Sequence, residues 1–102
     1  MPSLRERYLR DGYVHVPSAL PVELLPRLRN EVDALSAGRE LGRFGVLLHD
    51  MGALSPVLRE VTASEVLARL AGETLALDEV LFFQDHMINK APGSGALNGH
   101  QD

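Results

Sequence analysis

Residues 80–88 read VLFFQDHMI, a run too apolar and aromatic for a surface strand. The pattern predicts a β-strand buried on one face and partly on the other. Such a strand needs neighbours, because an open edge carries unpaired N–H and C=O groups. Yet most of what precedes it in this 102-residue chain has helical character. Two short strand candidates are marginal support for a long one. The order is helices, then one long strand, then a glycine-rich loop, and it predicts the opening part of a larger β-domain.

The helical part begins at Ser3-Leu4-Arg5-Glu6, which fits a capping box and predicts a helix to about Arg10, ended by Asp11-Gly12. Residues 13–16 (YVHV) alternate like a short strand stopped by Pro17. Leu24, Leu25, Leu28, Val32 and Leu35 share one face of a helix over 21–35, with Gly38 as terminator. Pro26 predicts either a kink or a start near that residue. Residues 43–48 (RFGVLL) suggest a strand or a buried edge, and residues 54–61 one or two helical turns. Thr62-Ala63-Ser64-Glu65 offers a second capping box, after which Val66, Leu67 and Leu70 form an apolar face closed by Gly72. Residues 91–95 (APGSG) are a turn, and Phe82, Phe83 and Met87 are expected in the core.

Composition removes several function classes. Ten basic and fourteen acidic residues leave a charge of −4, which disfavours a nucleic-acid partner. With no cysteine, disulfides and thiolate chemistry are excluded. No apolar run approaches ~20 residues, so no membrane-spanning helix is expected. The start of the chain lacks a secretion signal, and a cytoplasmic location is the default expectation. The APGSG loop lacks phosphate-loop spacing, and no nucleophile elbow supports Ser/His/Asp catalysis.

The chain closes on NGHQD. In an extended segment residues i and i+2 share a side, so His100 and Asp102 can offer a nitrogen and a carboxylate oxygen to one ion. A second histidine from elsewhere would complete the two-histidine, one-carboxylate face of non-haem iron oxygenases. Ordinary exposed tail residues are the alternative, and the pair alone leaves that choice open. Among the other histidines, His15 reads as structural or exposed. His49-Asp50 and Asp85-His86 are neighbours whose side chains point apart in a strand, which argues against a shared metal or a simple dyad. Lys90 reads as a solvated strand-end lysine, with an anionic ligand as the alternative.

The whole run LFFQDHMINKAPGSGALNGHQD, with the earlier YLRDGYVHVPSAL and PVELLPRLRNEVDAL, resembles the phytanoyl-CoA dioxygenase family of iron(II)/2-oxoglutarate oxygenases. The likeness spans nearly the whole chain and is least distinctive over about 38–60. It implies an α+β fold. N-terminal helices would lead into the first strands of a double-stranded β-helix (jelly-roll or cupin-like), with residues 1–102 the N-terminal portion, truncated after the His-x-Asp motif. It implies that His100 and Asp102 bind Fe(2+), and that His86, on the strand before the loop, contacts the co-substrate 2-oxoglutarate. Arg43 aligns with a family lysine that makes another such contact. The family's distal histidine and its carboxylate-gripping arginine have no counterpart up to Asp102, so a missing C-terminal half is an implied partner.

The resemblance therefore implies a dioxygenase that hydroxylates a small-molecule or acyl substrate, the 102 residues alone being inactive. The competing expectation is a non-catalytic helical and β interaction module, or a non-functional remnant, whose terminal histidine is incidental.

Overall fold

The computed structural model describes residues 1–39, 42 and 45–100. Arg43 and Asp102 lie outside them. The architecture is α+β: the described residues form five helices and a two-stranded antiparallel sheet, with the second helix packed on the sheet and the first helix on the last.

Helix α1 (Leu4–Asp11) starts as its capping box dictates. The Ser3 hydroxyl accepts from the Glu6 N–H at 3.1 Å, and the Glu6 carboxylate accepts from the Ser3 N–H at 2.7 Å. Gly12, at φ 81°, takes the left-handed conformation that ends the helix, and its N–H donates to the Tyr8 carbonyl. The expected strand over 13–16 does not form. This segment instead follows α1 as a loop, with the Arg7 guanidinium donating to the His15 carbonyl at 3.2 Å. Its alternation has another cause: Val14 and Val16 are half-buried in a groove shared with Leu67, Leu70 and Leu75, while Tyr13 and His15 face out.

Helix α2 (Leu24–Ser36) begins three residues after Pro21, behind a turn in which the Leu24 N–H donates to the Pro21 carbonyl. Pro26 is its third residue. The missing N–H there would have had no helical partner, so the proline is accommodated in the first turn. Leu24 is buried, and Leu28, Val32 and Leu35 are half-buried, on the side that meets α4 and β2.

Strands β1 (Val46–His49) and β2 (His86–Asn89) pair in the register Val46↔Asn89, Leu47↔Ile88, Leu48↔Met87 and His49↔His86. Asn89 Nδ2 donates to the Ser36 hydroxyl at 2.8 Å, tying the sheet to the end of α2. The expected strand over 80–88 is thus only its second half. Past His49 the partner chain turns away, with Asp50 at φ 56°, into α3 (Met51–Leu54). No strand among the described residues pairs with residues 80–84, and a strand exists only where it is paired.

Ser55 is extended and fully buried. It separates α3 from α4 (Pro56–Thr62), and its hydroxyl caps α4 by accepting from the Leu58 N–H. The second capping box is displaced. Thr62 ends α4 and donates its hydroxyl to the Arg59 carbonyl, while Ser64 caps α5 (Glu65–Leu75) through the Leu67 N–H. Gly72 does not close α5. It is buried inside the helix, where a Cβ would stand 2.8 Å from the Leu77 carbonyl oxygen. The helix ends at Leu75, with Ala76 left-handed and the Leu77 N–H returning to the Gly72 carbonyl. Close approach of the returning chain is what Gly72 permits.

The core is small. Leu24, Val46 and Met51 are the buried hydrophobic residues among those described. Phe82 and Phe83, expected inside, are exposed, and Met87 is half-buried. Among the described residues no strand flanks 80–84 to cover the phenylalanines, which border an open groove against α5. No helix among the described residues is long and apolar enough to cross a membrane.

Candidate functional site

The chemistry-bearing side chains gather at one end of the β1–β2 ribbon and on the segment that leaves the other. At the first end, the Asp50 N–H donates to the Asp85 carbonyl at 3.2 Å, extending the ladder one step past His49↔His86. The Asp85 carboxylate turns to the start of α3, where it accepts from the backbone N–H groups of Met51 and Gly52. Asp85 and His86 thus have different partners and form no acid–base dyad.

His49 and His86 are directly opposed across the ribbon. Their ring centroids are 4.3 Å apart and their planes meet at 82°, an edge-to-face arrangement. Both residues are exposed. The residue patterns considered singly miss this pair. The available signal is that each strand candidate carries a histidine beside an aspartate, in mirrored order (LHD and QDH), which antiparallel pairing can bring opposite each other.

From Asn89 the chain passes exposed Lys90 into the predicted turn, in which the Ser94 N–H donates to the Ala91 carbonyl and Gly93 sits at φ 82°. Residues 96–100 follow without regular structure. His100 is exposed, and its Nδ1 lies 2.8 Å from the Asn98 carbonyl oxygen. A carbonyl only accepts, so Nδ1 is the donor. In the neutral ring that places the lone pair on Nε2.

Of the four residues singled out by resemblance, His86 lies on the sheet against His49 and His100 lies on the segment after the loop. Arg43 and Asp102 are outside the described residues. Among those described, no three His, Cys, Asp or Glu side chains are grouped to hold a metal. His15 is exposed in the loop after α1.

Comparison with family models, with curated proteins and with solved structures yields no match to this chain.

Proposed function

We propose that this chain supplies His100 and Asp102 as two ligands of an iron(II)- and 2-oxoglutarate-dependent hydroxylase centre. The observation that supports the reading most is the Nδ1–H donation from His100 to Asn98. A metal-binding histidine commonly donates one ring N–H to a carbonyl, which fixes the tautomer and directs the other nitrogen to the ion. The described residues do not make a full ligand set, so the reading requires a further histidine from additional polypeptide. On this reading β1 and β2 are the first strands of a double-stranded β-helix. Iron with 2-oxoglutarate would supply the oxidising chemistry, consuming O2 and the keto acid, releasing succinate and CO2, and hydroxylating a small-molecule or acyl substrate. The ring of His86 packs on His49, and the proposal draws on neither His86 nor Arg43 for 2-oxoglutarate.

The test is anaerobic Fe(2+) titration of the chain beside His100→Ala and Asp102→Ala. Each variant is expected to weaken iron retention at least about tenfold. Unchanged binding in both variants overturns the reading. The 102 residues alone are expected to form no succinate from 2-oxoglutarate, because two ligands without the further histidine leave the metal site incomplete.

A second reading, a binding module, is favoured by surface area. The chain exposes 8006 Å². A compact monomer of its 11.2 kDa would expose about 5,700 Å². The radius of gyration is 15.7 Å, against about 12.8 Å for a compact domain of this length. Leu81 and Phe83 are 92% and 86% exposed, and with Phe82 they border a groove of about 590 Å³ against Leu67, Ala71 and Leu75 of α5. The occupant that fits is a polypeptide presenting a β-strand, which would pair with the backbone of 80–84 and cover the phenylalanines. Sizing of the purified chain tests it: a strictly monomeric chain that captures no strand peptide counts against this reading.

A further inference from the structure

We propose that His49 and His86 form a two-histidine clip for a divalent transition-metal cation such as copper(II), nickel or zinc, at the end of the β1–β2 ribbon. The inference goes beyond the iron reading and involves none of its ligands. The two residues are register partners on adjacent antiparallel strands. Directly opposed side chains on one sheet face are the closest pair the sheet offers. Two imidazoles bound cis to one ion, at about 90° and ~2.1 Å metal–nitrogen bonds, have ring centroids roughly 4.5 Å apart. The observed separation is 4.3 Å, close to that distance, and turning the exposed rings about their side-chain torsions would bring one nitrogen of each toward a common ion. The planes, at 82°, are not stacked face to face.

The surroundings favour a cation. Asp50 follows His49 and Asp85 precedes His86, so each histidine has an acidic neighbour in the chain. The Asp85 carboxylate is held by the Met51 and Gly52 N–H groups, and its charge stays near the ribbon end. Exposed Asp50 adds a second negative charge. Both rings are exposed, so water can complete the coordination sphere, and two neutral imidazoles suit copper, nickel and zinc better than calcium or magnesium. The scaffold is fixed from below. The Asp50–Asp85 backbone bond continues the ladder, and the Asp85 side chain anchors α3 beside it. The backbone that carries both rings is therefore already held.

The experiment is calorimetric titration of the chain with Cu(2+), Ni(2+) and Zn(2+) salts, beside His49→Ala, His86→Ala, His15→Ala and His100→Ala. Circular dichroism of each variant confirms the fold. Wild-type chain is expected to bind one ion at the clip, with copper tightest by the usual order of divalent affinities. His49→Ala and His86→Ala should each weaken binding at the clip at least about tenfold, as expected when a chelate becomes a single ligand, whereas His15→Ala should leave it unchanged. Copper(II) paramagnetic resonance gives an independent readout. Two nitrogen couplings are expected in the wild-type chain and one in either clip variant. The proposal is overturned if none of the three metals binds, or if His49→Ala binds as well as wild type. It is also overturned if His100→Ala alone abolishes binding, which would assign the ion to the His-x-Asp motif. Failure of the iron reading is seen separately, in the Fe(2+) titration of the His100 and Asp102 variants.

Discussion

The Asp85 carboxylate closes over the start of α3, accepting from the N–H groups of Met51 and Gly52, while the Asp85 carbonyl accepts from the Asp50 N–H. A residue distant in sequence thereby supplies the cap that α3 lacks locally, since Asp50 is left-handed and makes no side-chain cap bond. Removing the carboxylate leaves two half-buried N–H groups without their acceptor. Asp85→Ala is expected to destabilise the chain by about 1–3 kcal/mol, and Asp85→Asn by less, because one acceptor oxygen remains. Urea denaturation of the two variants checks the order; equal stability of Asp85→Ala and wild type would refute it.

Gly45 sits at φ 90° just before β1, and a Cβ there would collide with the Asn89 carbonyl oxygen and stand 2.9 Å from both the Ala91 nitrogen and the Lys90 Cα. These are backbone atoms and cannot swing aside. Gly93 has a similar φ of 82° but nothing within 4 Å of its Cβ position. Gly93→Ala should therefore cost about 1 kcal/mol of backbone strain alone, and Gly45→Ala clearly more, with loss of β1–β2 pairing. Thermal melts with far-ultraviolet dichroism separate the two variants.

Glu6 carries a pH dependence whose sign follows from its partner. Hydrogen bonding by Ser3, the backbone N–H first and the hydroxyl second, holds the Glu6 carboxyl below its usual range. A carboxyl depressed in the folded state stabilises it above the unfolded value, and the contribution fades as pH falls through the folded value. The α1 start should thus loosen on acidification within the carboxyl range. A carboxyl-carbon NMR titration should show Glu6 moving part of the way back up in Ser3→Ala, where the backbone donor survives. An identical Glu6 titration in both proteins would show that the hydroxyl has no influence.

The exposed apolar strip and the small core make opposite predictions for similar chemistry. Leu81→Ser and Phe83→Ser remove solvent-facing groups and should change monomer stability by no more than about 0.5 kcal/mol, while reducing any self-association seen on sizing. Met51 is 2% exposed, and Met51→Ala should cost about 2–5 kcal/mol. Denaturant midpoints for the three variants test the contrast. A large loss for Phe83→Ser would mean that the phenylalanine is buried in solution.

What was legible in the residues was local. Ser3 and Glu6 set the start of α1 because both hydrogen bonds close within four residues, and Gly12 ends it by conformational freedom alone. The leucine face of α2, apart from exposed Leu25, and the APGSG turn are local in the same sense. The capping box at Thr62–Glu65 shows the limit: the pattern was present, but α4 occupied Thr62 and moved the cap to Ser64. Gly72 shows it again, since only the return of Leu77 onto the helix turns a plausible terminator into an interior contact. Strands lie beyond local reading, because the ladder belongs to two segments at once. Nothing within VLFFQDHMI says that β1 stops at His49, so tertiary structure decided that only His86–Asn89 pair and that Phe82 and Phe83 face solvent. The His49–His86 pair has the same origin. Residue type supplied two histidines, and the antiparallel register alone set their rings 4.3 Å apart.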